Sequence, residues 1–584
     1  MSLLLAALLL QDEFVQRVLP AVKKYCVSCH GPDKKKGDLD LSVFLTSNDA
    51  LQKPEIWKLA VEKVNAFEMP PKGKPEPSHD DKAFLNRWFD KLPKAKLDCS
   101  QLASDRNTRF YRGYVMSRRL NRSEVELTLR DLLGVDLKID FPSDGSGGEG
   151  FDTNGDTLFT SPILVEKAID AAEKALAAAR LPQDASLAAF ARRAWRRPVA
   201  PEEVERLLPL VKRDPSLKLA RTAILVSPHF LFLVEPEPEK EGVVPLGPHP
   251  LAARLSYFLW SSMPDEALSW RADGGDLAHA ESVREEVRRM SRHPRARALG
   301  EQFALQWLEL DPLGRTVRPD PKKFPEFDDA LAADMKEEVV RLFQEIVRED
   351  RSLLELIDAR HTWVNERLAK LYGIEGVKGP EMRRVELDSR ARGGLLGMAA
   401  VHAVSSFPFR TSPVLRGKWI LESLLGSKVA PPPPDAGTLS EVGPETTSQT
   451  LRQRLEKHRT KPDCAACHNR MDPLGFGLEN FDVLGRWRTS DNGLPVDVQG
   501  TLPSGEKFEG AAGLKQVILK RKDEVMRHLA KKMLGYALGR QLNKFDDCVV
   551  DDTMKALKAN NYRASALIET IALSYPFRHR YVKK

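Results

Sequence analysis

Apolar residues recur at the three- and four-residue spacing of an amphipathic helix along most of the chain. Phe14–Tyr25 shows this spacing, and so does Leu127–Leu133, which ends at Gly134. Asn121 or Ser123 is a suitable N-cap for the second of these helices. The pattern predicts a mostly α, multi-domain helical protein.

A different pattern occupies residues 495–508. Val496 and Val498 alternate with polar residues, and the turn-forming stretch Leu502-Pro503-Ser504-Gly505 follows. Alternation of this kind with a Gly- and Pro-containing turn predicts a small β-hairpin element near the C-terminus.

Composition, charge and the absence of certain motifs disfavour several classes of function. The chain has 584 residues, 42% hydrophobic and 30% charged, with a formal net charge of +7. These values are ordinary for a globular protein, and the length predicts several domains. No basic block with interleaved aromatic residues is found, so we expect no nucleic-acid partner. The sequence also contains no glycine-rich phosphate loop, nucleophile elbow or metalloprotease helix, which disfavours kinases, hydrolases and nicotinamide enzymes.

The strongest chemical signal is Cys26-Val27-Ser28-Cys29-His30, which has the C-x-x-C-H spacing of a c-type haem attachment site. Two thiols about one helical turn apart can bond the two vinyl groups of a porphyrin, and the adjacent His30 is the proximal iron ligand. A zinc site would need a second ligand pair nearby, and a redox dithiol would sit beside a βαβ pattern. Neither feature is found near this motif.

The segment after this motif offers a sixth iron ligand. Met69 precedes Pro70 and Pro71, and a thioether on a loop stiffened by prolines suits this role. The alternative is a core methionine on a loop.

A second copy of the motif, Cys464-Ala465-Ala466-Cys467-His468, predicts a second haem c with His468 as its proximal ligand. Met471 is too close in sequence to reach the opposite face of the same iron. The sixth position is therefore open or is filled by another side chain. The candidate ligands are His402, His458 and His528. The candidates for pairing with haem propionates are Arg410, Arg416 and Arg486, and surface ion pairing is the alternative for each of them.

Cys99 and Cys548 lie outside both motifs. In an oxidising compartment they could form a disulfide between the region after the first haem motif and the C-terminal helices. Two buried free thiols are the alternative.

The N-terminus bears on location. Residues 1–11 hold the apolar run Leu3–Leu10, similar to a short secretory signal, although no Lys or Arg precedes it. A start codon placed too far downstream or a truncated chain are alternatives. The run is too short to span a bilayer as a helix. Because covalent haem attachment belongs outside the cytoplasm, we expect an exported, periplasmic or otherwise extracytoplasmic protein without an integral membrane segment.

Residues 12–95 resemble the planctomycete-type cytochrome c domain. The resemblance rests on Cys26, Cys29, His30-Gly31-Pro32, Gly37-Asp38-Leu39, Trp57 and Met69-Pro70-Pro71. It implies an N-terminal cytochrome c-like domain that binds haem c.

The rest of the chain is similar to planctomycete proteins that carry domains of unknown function 1587, 1595, 1592, 1588 and 1585. The stretches that carry this likeness are Asn121-Arg122, Trp195-Arg196-Arg197-Pro198, Ser227-Pro228-His229-Phe230, Leu255-Ser256-Tyr257-Phe258-Leu259-Trp260, Thr411-Ser412-Pro413-Val414 with Arg416-Gly417, Met471-Asp472-Pro473 with Gly475-Phe476, and Tyr536-Ala537-Leu538-Gly539-Arg540. In the order above, we expect these domains at 100–180, 181–237, 246–375, 385–490 (the second haem-motif domain) and 495–584. The family implies no established reaction.

Two functional hypotheses follow. The first is a dihaem electron-transfer protein with a redox partner protein, in which the second haem is either the catalytic site of a peroxidase-like oxidoreductase or an electron relay. The second is a single-haem electron-transfer module fused to a helical domain that binds a surface polymer or protein partner.

Overall fold

A computed structural model describes residues 13–65, 69–71, 74–91, 99, 117–181, 186–235, 242–429, 449–458 and 462–582. The chain divides into two compact units. The smaller unit comprises residues 1–97, 427–472 and 490–497, and the larger comprises residues 98–426, 473–489 and 498–584. The predicted helical class is confirmed, since helices dominate and the strands form only two-stranded pairs.

The smaller unit is a set of short helices. A π-helical turn, Phe14–Val18, continues into an α-helix that ends at Tyr25, immediately before the first haem motif. The other helices of this unit are Ser47–Gln52, Pro54–Asn65, His79–Lys91, Leu451–His458 and the part of Pro462–Phe476 through Asp472. Two short antiparallel pairs complete it, His30–Gly31 with Lys34–Lys35 and Ser490–Asp491 with Leu494–Pro495.

Aromatic residues build the core of the smaller unit. The rings of Phe14, Phe44 and Trp88 lie 5.6, 5.3 and 5.3 Å from the ring of Trp57. The Phe14, Phe44 and Trp88 contacts are edge-on, which is a favoured arrangement for aromatic pairs. The side chain of Cys26 packs against this cluster. The first haem motif therefore begins at the edge of a preformed apolar core.

The larger unit is also helical. Its α-helices are Arg122–Leu133, Pro162–Ala178, Leu187–Trp195, Pro201–Glu205, Leu208–Arg213, Lys218–Val226, Pro228–Leu231, Pro248–Trp260, Glu266–Asp273, Ala280–Arg292, Leu305–Trp307, Asp329–Arg348, Glu355–Asp358, Glu366–Tyr372, Ala399–Val404, Pro413–Trp419, Gly510–Lys520, Lys522–Leu538, Asp547–Ala559, Ala564–Leu573 and Tyr575–Arg578, with π-helical segments Leu299–Ala304 and Ile420–Leu424. Its strand pairs are Arg118–Arg119 with Phe232–Leu233, Gly242–Pro245 with His579–Val582, His361–Val364 with Arg383–Glu386, and Gln499–Thr501 with Lys507–Glu509.

The predicted helix boundaries follow from capping chemistry. Asn121 is the N-cap of Arg122–Leu133, and its side chain accepts a hydrogen bond from the backbone N–H of Glu124. Gly134 ends the helix in the left-handed conformation at φ 71°, which favours glycine. Of the two predicted caps, Asn121 is therefore the one used.

The predicted hairpin is confirmed in the pair Gln499–Thr501 with Lys507–Glu509. Phe508 is buried and lies opposite Gly500. A Cβ on Gly500 would overlap the Phe508 ring, so this position needs glycine. The close packing of the Phe508 ring on the backbone of Gly500 fixes the register of the hairpin.

Two long-range links join distant parts of the larger unit. Cys99 and Cys548 form a disulfide across a sequence separation of 449 residues. Gly242–Pro245 pairs with His579–Val582, close to the C-terminus. The disulfide decides between the two alternatives for these cysteines, and both links tie the C-terminal helices to earlier segments.

No helix in the described part of the chain combines the length and apolar character needed to cross a membrane.

Candidate functional site

The first haem motif forms a tight turn at the end of a helix. The backbone N–H groups of Cys29 and His30 donate to the carbonyl oxygen of Cys26 at 3.1 and 2.9 Å. These bonds fold the motif back on itself, so both thiols and the imidazole project from one turn. Cys26 and Cys29 are half-buried and form no disulfide.

The thiol of Cys26 is protonated at neutral pH. Burial raises the pKa of this thiol to about 11. A reactive redox dithiol usually has a thiol whose pKa is lowered. The environment of Cys26 therefore disfavours the redox dithiol at the first motif.

A backbone carbonyl sets the tautomer of His30. Its Nδ1 lies 2.9 Å from the carbonyl oxygen of Lys36. Because a carbonyl only accepts, Nδ1 carries the proton and Nε2 carries the lone pair. Histidines that bind metal through Nε2 are commonly held by such a bond at the other nitrogen.

Met69 belongs to the same compact unit as His30. Its side chain is 37% exposed, and its backbone N–H donates to the carbonyl oxygen of Lys63 at 3.2 Å. Exposure at this level disfavours the alternative of a core methionine. The role of Met69 as an iron ligand stays a prediction.

Two buried indoles test whether this unit fits a haem. Trp57 and Trp88 are 1% and 0% exposed, and the Nε1–H of each has no hydrogen-bond acceptor among the described residues. Buried N–H groups are nearly always paired, so each such orphan calls for an explanation. A haem carries two propionate carboxylates, which are strong acceptors. The donor set of the unit therefore fits this cofactor.

The second motif lies on the helix Pro462–Phe476. The side chains of Cys464 and Cys467 lie outside the described part of the structure, and so does the side chain of His458. The His468 side chain is described and is 16% exposed. Only the histidine of this motif can therefore be assessed from contacts.

A carboxylate sets the tautomer of His468. Its Nδ1 lies 2.9 and 3.1 Å from the two carboxylate oxygens of Asp472, a residue with 0% exposure. A carboxylate oxygen accepts, so Nδ1 carries the proton and Nε2 the lone pair. This carboxylate–histidine arrangement is the one that commonly orients a metal-binding imidazole.

Asp472 is a functional residue that the haem attachment motif alone does not indicate. The signal that could have found it is its spacing of four residues from His468, which places the two side chains on one face of a helix. The acceptor for His30 is a backbone carbonyl, so no residue type in the sequence could indicate it.

The other predicted ligands for the second haem belong to the larger unit. His402 is fully buried and stacks on Phe481 at 4.4 Å. Burial lowers the pKa of His402 well below its usual value, and it lowers that of His528 to about 4. Both imidazoles are therefore neutral at neutral pH, as an iron ligand must be. Their assignment as ligands stays a prediction.

Two of the arginines predicted to pair with haem propionates have carboxylate partners in the protein. Arg416 is fully buried, and its guanidinium donates to Glu479 at 2.8 Å. Arg486 donates to Asp482 at 2.6 Å and also contacts Glu326. Both charges are therefore matched within the larger unit. Arg410 donates to the carbonyl oxygen of Thr411 at 3.0 Å.

Among the residues that the structure describes, no group of three or more His, Cys, Asp or Glu side chains is placed to hold a metal ion. A histidine that shares a haem iron with the porphyrin nitrogens does not require such a cluster.

Family models match six consecutive parts of the chain. The model described as planctomycete cytochrome C matches residues 26–73. Five models described as proteins of unknown function follow in the order DUF1587 at 118–181, DUF1595 at 183–235, DUF1592 at 246–374, DUF1588 at 392–491 and DUF1585 at 504–577. The chain therefore has the architecture of a planctomycete cytochrome C domain followed by the five domains DUF1587, DUF1595, DUF1592, DUF1588 and DUF1585. This confirms the resemblance, and the cytochrome c domain implies a c-type haem protein in electron transfer.

No curated protein and no solved structure matches this chain. The second C-x-x-C-H motif lies within the DUF1588 match at 392–491.

Proposed function

We propose that the protein is a dihaem c-type cytochrome that transfers electrons outside the cytoplasm. One haem is attached to Cys26 and Cys29 with His30 as proximal ligand. The other is attached to Cys464 and Cys467, with His468 as its proximal ligand. When bound, haem c supplies an iron that accepts and releases one electron.

The observation that carries this proposal is the shared tautomer of the two histidines. His30 donates its Nδ1–H to a carbonyl oxygen, and His468 donates its Nδ1–H to a carboxylate. Each is the histidine of a C-x-x-C-H motif, and in each the Nε2 lone pair is the one an iron takes. If the two C-x-x-C-H motifs had arisen by chance, we would not expect both histidines to have the same tautomer.

The two sites have different roles in the proposal. Met69 is the sixth ligand of the first haem, and the thioether raises the reduction potential of that haem. The first haem exchanges electrons with a redox partner protein. The second haem is the site of an oxidoreductase activity of peroxidase type, with its sixth position open to a small ligand.

The disulfide supports a location outside the cytoplasm. Cys99 and Cys548 are paired, and structural disulfides persist in oxidising compartments. The apolar run Leu3–Leu10 is the proposed export signal, although it lies outside the described residues.

Paired cysteine variants test the proposal. Cys26→Ser with Cys29→Ser should remove one redox transition from a spectroelectrochemical titration, and Cys464→Ser with Cys467→Ser should remove the other. Cys99→Ser with Cys548→Ser is the matched control, and it should keep both transitions. If the second pair of substitutions leaves the titration unchanged, the protein has a single haem and the dihaem proposal is wrong.

The peroxidase-type reaction needs its own test. We expect part of the resting absorption spectrum to be high-spin, and we expect that part to change on addition of hydrogen peroxide. A purely low-spin, six-coordinate spectrum that peroxide does not alter would eliminate this reaction while leaving electron transfer intact.

A further inference from the structure

A cavity of about 540 Å³ lies within the larger unit. This volume is in the range of sites that bind small organic molecules. Its wall is built by residues from four of the matched domains, those described as DUF1587, DUF1595, DUF1592 and DUF1585. Ligand sites form preferentially where domains meet. None of the described residues of either haem motif lines this cavity.

Four arginines lie on the cavity wall, and three of them are each matched with one carboxylate. The guanidinium-to-carboxylate distances in these pairs are 2.6 to 2.9 Å, in the pairs Arg118–Glu124, Arg197–Glu203 and Arg254–Glu235. Each pair is bidentate, which satisfies both the charge and the geometry of the guanidinium. These three arginines therefore add no net charge to the cavity.

The fourth arginine, Arg196, has no carboxylate partner in the described part of the chain. It is 8% exposed and donates to the Tyr257 hydroxyl at 3.1 Å. Its other contacts are the carbonyl oxygens of His229, Phe230 and Phe232, at 2.7 to 3.0 Å. These neutral acceptors orient the guanidinium but do not cancel its charge. A buried charge without a counter-ion is costly.

The two histidines on the cavity wall, His229 and His249, do not change its net charge. Burial lowers the pKa of both His229 and His249, so both rings are neutral at neutral pH. The described wall therefore carries one net positive charge, located at Arg196.

Aromatic side chains form much of the remaining wall. They are Trp195, Tyr257, Phe258 and Tyr536. The indole N–H of Trp195 donates to Ser227 Oγ at 2.9 Å, and the hydroxyl of Tyr536 lies 3.0 Å from Ser261 Oγ. Because their polar atoms are already bonded within the protein, these rings offer an apolar surface to a ligand.

We propose that this cavity binds a small organic monoanion, with its carboxylate at Arg196 and an aromatic or other apolar body against the aromatic wall. One negative charge on the ligand matches the one unbalanced positive charge. Arginine suits a planar carboxylate. The site is independent of the haem assignments, because it uses only residues of the larger unit.

Isothermal titration calorimetry on the full chain tests this proposal with named probes. The carboxylate probes are acetate, hexanoate and 2-naphthoate, and 2-naphthamide is the neutral match for the last. We expect one site per chain, affinity that rises from acetate to 2-naphthoate, and at least tenfold weaker binding of the amide. Absence of binding by all three acids, or equal binding of the acid and the amide, would overturn the proposal.

Variants locate the site. Arg196→Gln should weaken 2-naphthoate binding at least tenfold. Arg193→Gln is the matched control, because Arg193 is in the last turn of the helix that Arg196 caps, is exposed and does not line the cavity. Binding that survives Arg196→Gln, or that is lost equally in Arg193→Gln, would contradict the assignment.

A second variant covers the case in which Arg196→Gln fails to fold, since Arg196 holds three backbone carbonyls. Ala253 lines the cavity and is half-buried. Ala253→Trp should fill the space and abolish 2-naphthoate binding while Arg196 keeps its charge. A folded Ala253→Trp protein that binds 2-naphthoate as the wild type does would show that the ligand binds elsewhere.

Discussion

His468 and Asp472 are joined by a hydrogen bond in which Nδ1 lies 2.9 Å from one carboxylate oxygen. The corresponding bond of His30 goes to the neutral carbonyl oxygen of Lys36, also at 2.9 Å. A negatively charged acceptor makes an imidazole a stronger electron donor than a neutral acceptor does. The two proposed haems therefore differ in the basicity of their proximal ligand.

Asp472→Asn should raise the reduction potential of the second haem. The neutral amide donates less charge through the imidazole, so the oxidised iron is stabilised less. We expect a shift of roughly 60 mV, which for one electron corresponds to a tenfold change in the ratio of oxidised to reduced iron. A spectroelectrochemical titration measures this shift.

The first haem serves as the internal control for this variant, because Asp472 makes no contact with His30 in the described structure. Its potential should stay constant. An unchanged or lower potential at the second haem would show that Asp472 does not tune His468.

Loss of the Cys99–Cys548 disulfide should destabilise the larger unit. The bond closes a loop with a sequence separation of 449 residues, and removal of a native disulfide typically costs about 2 to 5 kcal/mol. Denaturant unfolding of the wild type with and without reductant measures this loss. In the Cys99→Ser, Cys548→Ser variant the reductant should have no further effect, and an effect there would point to a different bond.

Gly475→Ala should destabilise the protein by about 1 to 3 kcal/mol, the usual range for overpacking. A Cβ at this position would overlap the carbonyl oxygen of Pro413. Gly247→Ala is the control, because there a Cβ would meet only Pro250 Cδ, at 3.8 Å. Unfolding free energies of the two variants should differ clearly. Equal values would mean that the backbone near Gly475 moves without cost.

Glu338 should make stability fall as pH rises. Burial raises the pKa of this carboxyl to about 7. The hydroxyl groups of Thr362 and Tyr372 donate to it at 2.5 and 2.6 Å, and these bonds lower the pKa by less than burial raises it. The protonated form is therefore favoured in the folded state. The stabilisation from protonated Glu338 is complete below the unfolded pKa of about 4.3. It is lost as pH rises through about 7, a change of about 4 kcal/mol.

Glu338→Gln tests this dependence, because the amide cannot ionise. Unfolding free energies measured from pH 4 to pH 8 should decline less in the variant than in the wild type. Parallel curves for the two proteins would exclude Glu338 as the source of the decline.

Local chemistry explains which parts of the fold could be predicted. The helix from Glu366 to Tyr372 ends at Gly373 with φ 70°, as its sequence predicts. Phe303 and Trp307 are buried and stacked, as their spacing of four residues indicates. Capping and helical periodicity depend only on neighbouring residues, so the sequence is enough to read them.

Long-range pairings could not be predicted in the same way. The strand Gly242–Pro245 is too short to show a pattern, and its partner His579–Val582 lies at the other end of the larger unit. From the sequence, Arg416 is predicted to bind a propionate or to form a surface ion pair. In the structure it is buried and pairs with Glu479. Such contacts depend on the whole fold, and no local feature of the sequence encodes them.

The number of haem groups per chain tests the dihaem proposal most directly. A pyridine haemochrome assay on protein matured with the c-type haem attachment system, together with the masses of the peptides that contain Cys26 and Cys464, gives this number. We predict two haems, one on each peptide. A single haem, on the Cys26 peptide alone, would contradict the proposal and leave a one-haem module attached to a helical binding body.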